Sequence, residues 1–212
     1  MVIKRIAKWF LRLTERYQSG VLASSELRRL INSGELVIEG IKPSHIQGAS
    51  IDVLLGYGLK EISTTFGVID LMRTSETIAE ESIPAKSVII NDKRYDYYYL
   101  KANHCYLGVL WGNFVMPVDV LGEIEGKSSV GRVFLETTHG NVGFIDPAFK
   151  GSIVIELCPE FDTIVYVGSP IAQMKFTRVV GTADPYKGKY LFQKKEKVQG
   201  SMYEKNFEQN QI

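Results

Sequence analysis

The sequence predicts an all-β fold, a barrel, sandwich or jelly roll, preceded by short helices. Three observations carry that expectation. From residue 35 to about residue 180 the chain falls into short segments rich in Val, Ile, Tyr and Phe: ELVIEG, SIDVLLG, SVIIN, YDYYYL, CYLGVLW, VLGEIEG, SIVIEL, TIVYVG and IAQMKFTRVV. Gly, Pro, Asn and Asp punctuate them, as they do strands joined by turns. No segment between them keeps helical apolar spacing over a helix's length, and nothing repeats at a fixed period. Finally, 212 residues with 45% hydrophobic content suffice to bury the core of one domain.

The elements follow in order. Residues 1–20, MVIKRIAKWFLRLTERYQSG, place Ile3, Ile6, Ala7, Phe10 and Leu13 near helical spacing, with Lys4, Arg5, Lys8, Arg12 and Arg16 largely elsewhere. This reads as a basic amphipathic extension, docked on its own domain or a neighbouring subunit in preference to a membrane. Ser24 and Ser25 before ELRRLINSG predict a capped short helix, which Gly34 ends in the left-handed conformation. The strands then occupy a domain spanning 21–186. Tyr95, Tyr97, Tyr98 and Tyr99, beside Lys93 and Arg94, are read as strand packing and not as a base-stacking platform. Residues 187–212 are polar and charged, and predict a flexible tail or lid.

Composition removes several classes of function. With 25 Lys and Arg against 24 Asp and Glu, the net charge is +1, so no overall basic field attracts nucleic acid. An anionic ligand must therefore be held locally. Cys105 and Cys158 each sit in an apolar run, which predicts buried thiols in a reducing cytoplasm. No run reaches the roughly 18 apolar residues of a membrane span, and no signal-peptide pattern opens the chain, so a soluble, cytoplasmic protein is expected. The zinc-deaminase signature, H-x-E with P-C-x-x-C, is missing, and His45, His104 and His139 stand apart from one another and from the cysteines. So are the G-x-x-x-x-G-K-[ST] phosphate loop, the G-x-G-x-x-G fingerprint and the G-x-S-x-G elbow.

Two segments carry positive signals. In EGKSSVGR, residues 125–132, a glycine permits close approach of an anion, two hydroxyls and backbone amides can donate to phosphate oxygens, and an arginine supplies a fork-shaped cation. An ordinary turn and helix cap has the same spelling. In GFIDPAFKGSIVIEL, Asp146-Pro147 starts a turn that Lys150-Gly151 can close. The following alternation puts Ser152, Val154 and Glu156 on one face and Ile153, Ile155 and Leu157 on the other. A glutamate so placed is ordinarily solvated; beside a bound base, desolvation would raise its pKa and equip it to shuttle protons.

Along residues 22–193 these motifs, in this order, resemble the dCTP deaminases of the trimeric dUTPase-like superfamily. SELRRLINSGELVIEG is similar to that family's opening helix and strand, and HIQGASIDVLLG to its Ala-Ser-Ile/Val-Asp segment. YYYLKANHCYLGVLWGNFVMPVDVLGEIEGKSSVGR resembles the approach to the phosphate motif, GFIDPAFKGSIVIEL the catalytic strand pair, and PIAQMKF the closing core strand.

The resemblance implies a distorted jelly-roll or β-barrel subunit of the dUTPase-like type, forming a homotrimer with sites at subunit interfaces. It implies metal-independent deamination of dCTP at C4, with Glu156 activating water and Asp146 meeting the deoxyribose or the attacking water. Ser128, Ser129 and Arg132, with Lys127 nearby, would hold the triphosphate. A magnesium ion would bridge phosphate oxygens without a protein ligand, and no zinc would be needed. Phe144, Ile145, Phe149 and Tyr190 would surround the nucleoside, and Lys189, Tyr190 and Gln193 reproduce the K-Y-x-x-Q of a segment that folds over the phosphates. dUTP as a further ligand and dTTP as an inhibitor are family expectations. Two departures stand out. The tail reads LFQKKEKVQGS in place of a Gly-Pro-containing sequence, and Gly143-Phe144 replaces the His-Arg pair of members that stop at dUTP. The second favours dUMP and pyrophosphate as products. The rival expectations are a plain dUTPase, which has no use for a proton shuttle at Glu156, and a catalytically silent nucleotide-binding trimer.

Overall fold

In the computed structural model, the described residues are 19–138, 143–194 and 197–206. The amphipathic extension and His139 lie outside them. The strands are β1 Gly20–Val21, β2 Val37–Ile38, β3 Ser50–Thr64, β4 Ile78–Ser82, β5 Lys86–Ile90, β6 Lys93–Leu100, β7 Cys105–Leu110 and β8 Phe114–Val115. They continue with β9 Val120–Gly126, β10 Leu135–Thr137, β11 Gly143–Ile145, β12 Lys150–Gly151, β13 Val154–Pro159, β14 Thr163–Tyr166 and β15 Pro170–Arg178. The helices are short: α1 Ser24–Asn32, α2 Thr74–Thr77 and α3 Ser128–Gly131. The all-β expectation holds, and each segment read as a strand contains one.

A curled sheet of nine strands runs β10-β13-β7-β3-β15-β9-β11, with β1 on β15 and β4 on β3. Two three-stranded sheets, β12-β8-β2 and β14-β6-β5, complete the wall. The long strand β3 makes the curl: its first part, Ser50 to Leu54, pairs with β15, and Leu59 to Ile62 pair with β7, with a register shift between. Gly56 lies at that shift, where a Cβ would sit 3.0 Å from the Val109 carbonyl, so a larger residue would push the strands apart. Along β3, Ile51, Asp52, Val53, Leu54 and Leu55 are all buried, as expected of a strand covered on both faces.

Helix α1 closes one end by burying Leu27 and Leu30. It starts one residue before the expected cap. Ala23 is the N-cap and its carbonyl accepts the first helical bond, while the Ser24 N–H donates to Gly48, so no side chain caps the helix. Gly34 does take the left-handed conformation, at φ +74°. Arg178, buried at the end of β15, pairs with Glu26 and Asp119 and so ties the helix to the sheet.

Two readings are corrected. Cys105 is exposed and Cys158 only half-buried, because both sit at strand ends on the face opposite the buried Tyr106 and Leu157. Lys150-Gly151 does not close a turn; it is a strand paired with β8, and the turn ends at Phe149, whose N–H donates to Asp146. Of the tyrosines, Tyr98 is buried and Tyr95 and Tyr97 meet the Tyr166 ring, while Tyr95 and Tyr99 remain exposed.

Candidate active site

Strand β13 carries Glu156. Ile153, Ile155 and Leu157 are buried while Glu156 is exposed and Val154 half-buried, so the alternation read from the sequence holds from 153 to 157. Ser152 breaks it. It precedes the strand, is buried, and its hydroxyl lies 3.2 Å from both the Gly112 carbonyl and Asn113 Oδ1.

Between the end of β11 and the start of β12, the chain reverses through Asp146, Pro147 and Ala148. Ala148 adopts φ +62°, and its N–H donates to Pro117. The reversal leaves Asp146 exposed and buries Phe149, whose ring meets Tyr186 at 5.6 Å.

A cavity of about 450 Å³ opens between these segments. Its walls include Glu156, Asp146, Phe144, Ile145, Phe149, Tyr190 and Gln193. Every residue that the resemblance places around the nucleoside thus meets the two candidate catalytic carboxylates in one space. Gln193 joins them, with its Nε2 buried and without a hydrogen-bond partner among the described residues. A buried amide donor left unpaired in the protein is suited to a ligand acceptor.

Of the residues expected to hold phosphate, Gln193 alone lines the cavity; the others are elsewhere. Ser128 and Ser129 open α3, Arg132 follows it, all three are exposed, and none lines this chain's cavity. Lys127 is engaged by a buried carboxylate: its Nζ lies 2.8 Å from Asp52 Oδ1. Lys189 also lies outside the cavity wall, with its Nζ 2.9 Å from Asn206 Oδ1 and 5.7 Å from the centre of the Tyr190 ring.

The described tail residues lie against the body of the same chain. The Ser152 N–H donates to Gln193 O at 2.9 Å and the Phe192 N–H to Lys150 O at 2.8 Å. Gly151 permits this approach: at φ +141°, a Cβ there would stand 2.8 Å from the Gln193 nitrogen. Farther on, Val198 is buried, the Met202 N–H reaches the Tyr190 hydroxyl at 3.2 Å, and Gln199, Gly200 and Ser201 complete the cavity mouth.

Sequence reasoning missed Tyr186, those three tail residues, and Ile62, Ile78 and Glu80 of the β3-β4 hairpin, all of which line the cavity. Gly188 and Gly200, small residues in a charged tail, were the available hints of close packing: a Cβ would overlap Tyr186 at the first and Glu80 at the second. Burial pushes the Tyr186 hydroxyl above its ordinary pKa, and its oxygen accepts from the Tyr190 N–H at 3.3 Å. Among the described residues, no group of three or more His, Cys, Asp or Glu is placed to hold a metal ion, and no helix is long and apolar enough to cross a membrane.

Comparison with known proteins gives a consistent likeness. A model of the dCTP deaminase-like family matches residues 21–179. A protein of Corynebacterium kroppenstedtii named "dCTP deaminase, dUMP-forming" is 34% identical over 137 residues, 65% of this chain and 69% of its own length. One of Aquifex aeolicus with the same name is 31% identical over 179 residues, 82% of this chain and 91% of its own. The crystal structure of 2'-deoxycytidine 5'-triphosphate deaminase from Agrobacterium tumefaciens shares the fold at a TM-score of 0.54 and 21% identity, over 76% of this chain. This chain spans about half of that one, 49% of its length.

Proposed function

Because the chain belongs to the dCTP deaminase-like family, we propose that it hydrolyses the C4 amino group of dCTP, releasing ammonia, and carries the product on to dUMP and pyrophosphate. The observation that carries this reading is the shared cavity, which sets Glu156 and Asp146 beside the Gln193 Nε2, buried and without a hydrogen-bond partner among the described residues. Gly143-Phe144 in place of His-Arg, and the dUMP-forming names of the relatives, favour dUMP over dUTP.

In this mechanism Glu156 takes a proton from water as the oxygen attacks C4, and returns it as the amino group leaves as ammonia. Glu156 is exposed in the single chain, so its carboxylate becomes a proton shuttle when the base and a neighbouring subunit cover it. Asp146 orients the water of the second step toward the phosphate chain. Phe149 and Tyr190 confine the nucleoside, and the Gln193 amide donates to the nucleotide.

Ser128, Ser129 and Arg132, exposed and away from their own chain's cavity, are suited to a nucleotide seated in a neighbour's. That geometry supports a homotrimer with shared sites. Lys127 supports the phosphate loop through Asp52. Magnesium would bind phosphate oxygens and water, the hard ligands it prefers. A cytoplasmic location, where the nucleotide is found, belongs to the same proposal.

The test is incubation with dCTP and magnesium, with ammonia and pyrophosphate assayed separately. Both products are expected. Ammonia alone removes the second step, and pyrophosphate from dUTP without ammonia from dCTP overturns the reading.

A further inference from the structure

The two cysteines, far apart in sequence, are cross-strand neighbours next to residues that line the cavity. Strands β7 and β13 pair antiparallel from Val154↔Val109 to Leu157↔Tyr106, so the next step sets Cys158 opposite Cys105. The Leu110 N–H donates to Ile153 O at 2.8 Å, which marks that pair as hydrogen-bonded. Alternation along the ladder then makes Cys158 and Cys105 a non-hydrogen-bonded pair, the type whose Cα atoms approach to about 4.5 Å with side chains closest. That spacing falls inside the range a disulfide spans. Just beyond the pair, the Asn103 N–H donates to Pro159 O at 2.8 Å, so the two strands stay together past the cysteines.

The surroundings connect the pair to the site. Cys158 is two residues from Glu156 on the same face of β13, and Cys105 is opposite Ile62 of β3 and two residues from Leu107. Glu156, Ile62 and Leu107 all line the cavity. Exposure differs between the thiols: Cys105 faces solvent and Cys158 is half-buried. Burial, with Cys105 adding to it, pushes the Cys158 thiol up to about 12, which keeps it protonated and unreactive toward outside reagents.

We propose that Cys105 and Cys158 form a redox modification site, in which a peroxide converts the pair to a reversible cross-strand disulfide next to residues that line the cavity. The exposed Cys105 thiolate attacks one peroxide oxygen; the O–O bond breaks, Cys105 becomes a sulfenic acid, and the other oxygen leaves as water. The Cys158 sulfur attacks the sulfenic sulfur, the S–O bond breaks, and a second water departs with the remaining protons. Two thiols are oxidised by two electrons and one hydrogen peroxide is reduced to two waters. The bridge fixes β7 to β13 at the end of the strand that carries Glu156.

The experiment treats the full chain with equimolar hydrogen peroxide, removes the peroxide, unfolds the chain in guanidinium chloride so that both thiols are accessible, alkylates with N-ethylmaleimide, and measures intact and peptide masses. Untreated protein should take two labels. Oxidised protein should take none, weigh two hydrogens less than the reduced chain, and yield a linked peptide pair that dithiothreitol separates. The Cys105→Ser variant should keep one label and form no bridge. Two labels after oxidation, added oxygen without a linked peptide, or disulfides only between chains would overturn the proposal.

Discussion

Lys127 Nζ lies 2.8 Å from Asp52 Oδ1, and the Asp52 side chain is 8% exposed. The same oxygen accepts from Gln173 Nε2 at 2.9 Å, while Oδ2 accepts from Gln47 Nε2 at 3.2 Å. Three segments distant in sequence, SIDV, GKSS and AQMKF, therefore meet at one buried side chain. Asp52 and Gln173 are directly opposed in the β3-β15 register. The EGKSSVGR segment is anchored at its base by this contact.

Asp52→Ala should destabilise the chain by about 2–3 kcal/mol, less than a fully buried pair because the Lys127 side chain keeps some contact with water. For a domain of this size that lowers Tm by roughly 5–10 °C. Thermal melts read the loss, and KM for the nucleotide should rise with it. If Tm is unchanged while KM rises, Lys127 serves phosphate directly and the anchor is dispensable.

Glu156→Gln retains size and hydrogen bonding but cannot accept a proton from water. Ammonia release should fall by at least about 100-fold, the usual span of a lost general base, with nucleotide affinity within a few fold of the parent. Asp146→Asn should instead depress pyrophosphate release. Substantial deamination by the glutamine variant would remove Glu156 from its role, and an undiminished pyrophosphate yield would do the same for Asp146.

The strand pattern was legible because Ile153, Ile155 and Leu157 fall at alternate positions, and burial follows that alternation from 153 to 157. The curl was not. It depends on β3 changing partners at a register shift, and a run buried on both faces such as IDVLL does not encode which neighbour takes which half. Glu156 could be placed on the open face, but its company in the cavity depends on contacts such as Gly151 against Gln193, set by tertiary packing. Likewise Cys105 and Cys158 looked like two isolated buried thiols. Strand register alone makes them neighbours.

The Cys158 thiol gives stability a signature at alkaline pH. Its folded-state value, about 12, lies above the ordinary 9.0, so the folded chain holds a proton that the unfolded chain loses above pH 9. Stability from this group is complete below about pH 9 and declines as pH rises toward 12. Tm measured at intervals from pH 8 to about pH 11 should fall more steeply in the parent than in Cys158→Ser, which lacks the titrating group. Parallel curves would show that the thiol makes no such contribution.

Gly151 tests whether the tail contributes to the site. Its φ of +141° is a conformation L side chains rarely adopt, and a Cβ would press against the Gln193 backbone at 2.8 Å. Gly151→Val should cost about 1–3 kcal/mol of local strain, relieved by displacing residues 192 and 193 and with them the Ser152 and Phe192 backbone bonds. The body should stay folded, because its core strands pair independently of the tail. Two measurements check this. Limited trypsin digestion should cleave near Lys189 and Lys194 roughly tenfold faster, since about 1.4 kcal/mol of lost docking free energy multiplies the open population by ten. KM for dCTP should rise as Gln193 leaves the cavity wall. If cleavage accelerates while KM stays constant, the tail is docked without taking part in binding, and Gln193 and Tyr190 lose their assignment to the nucleotide.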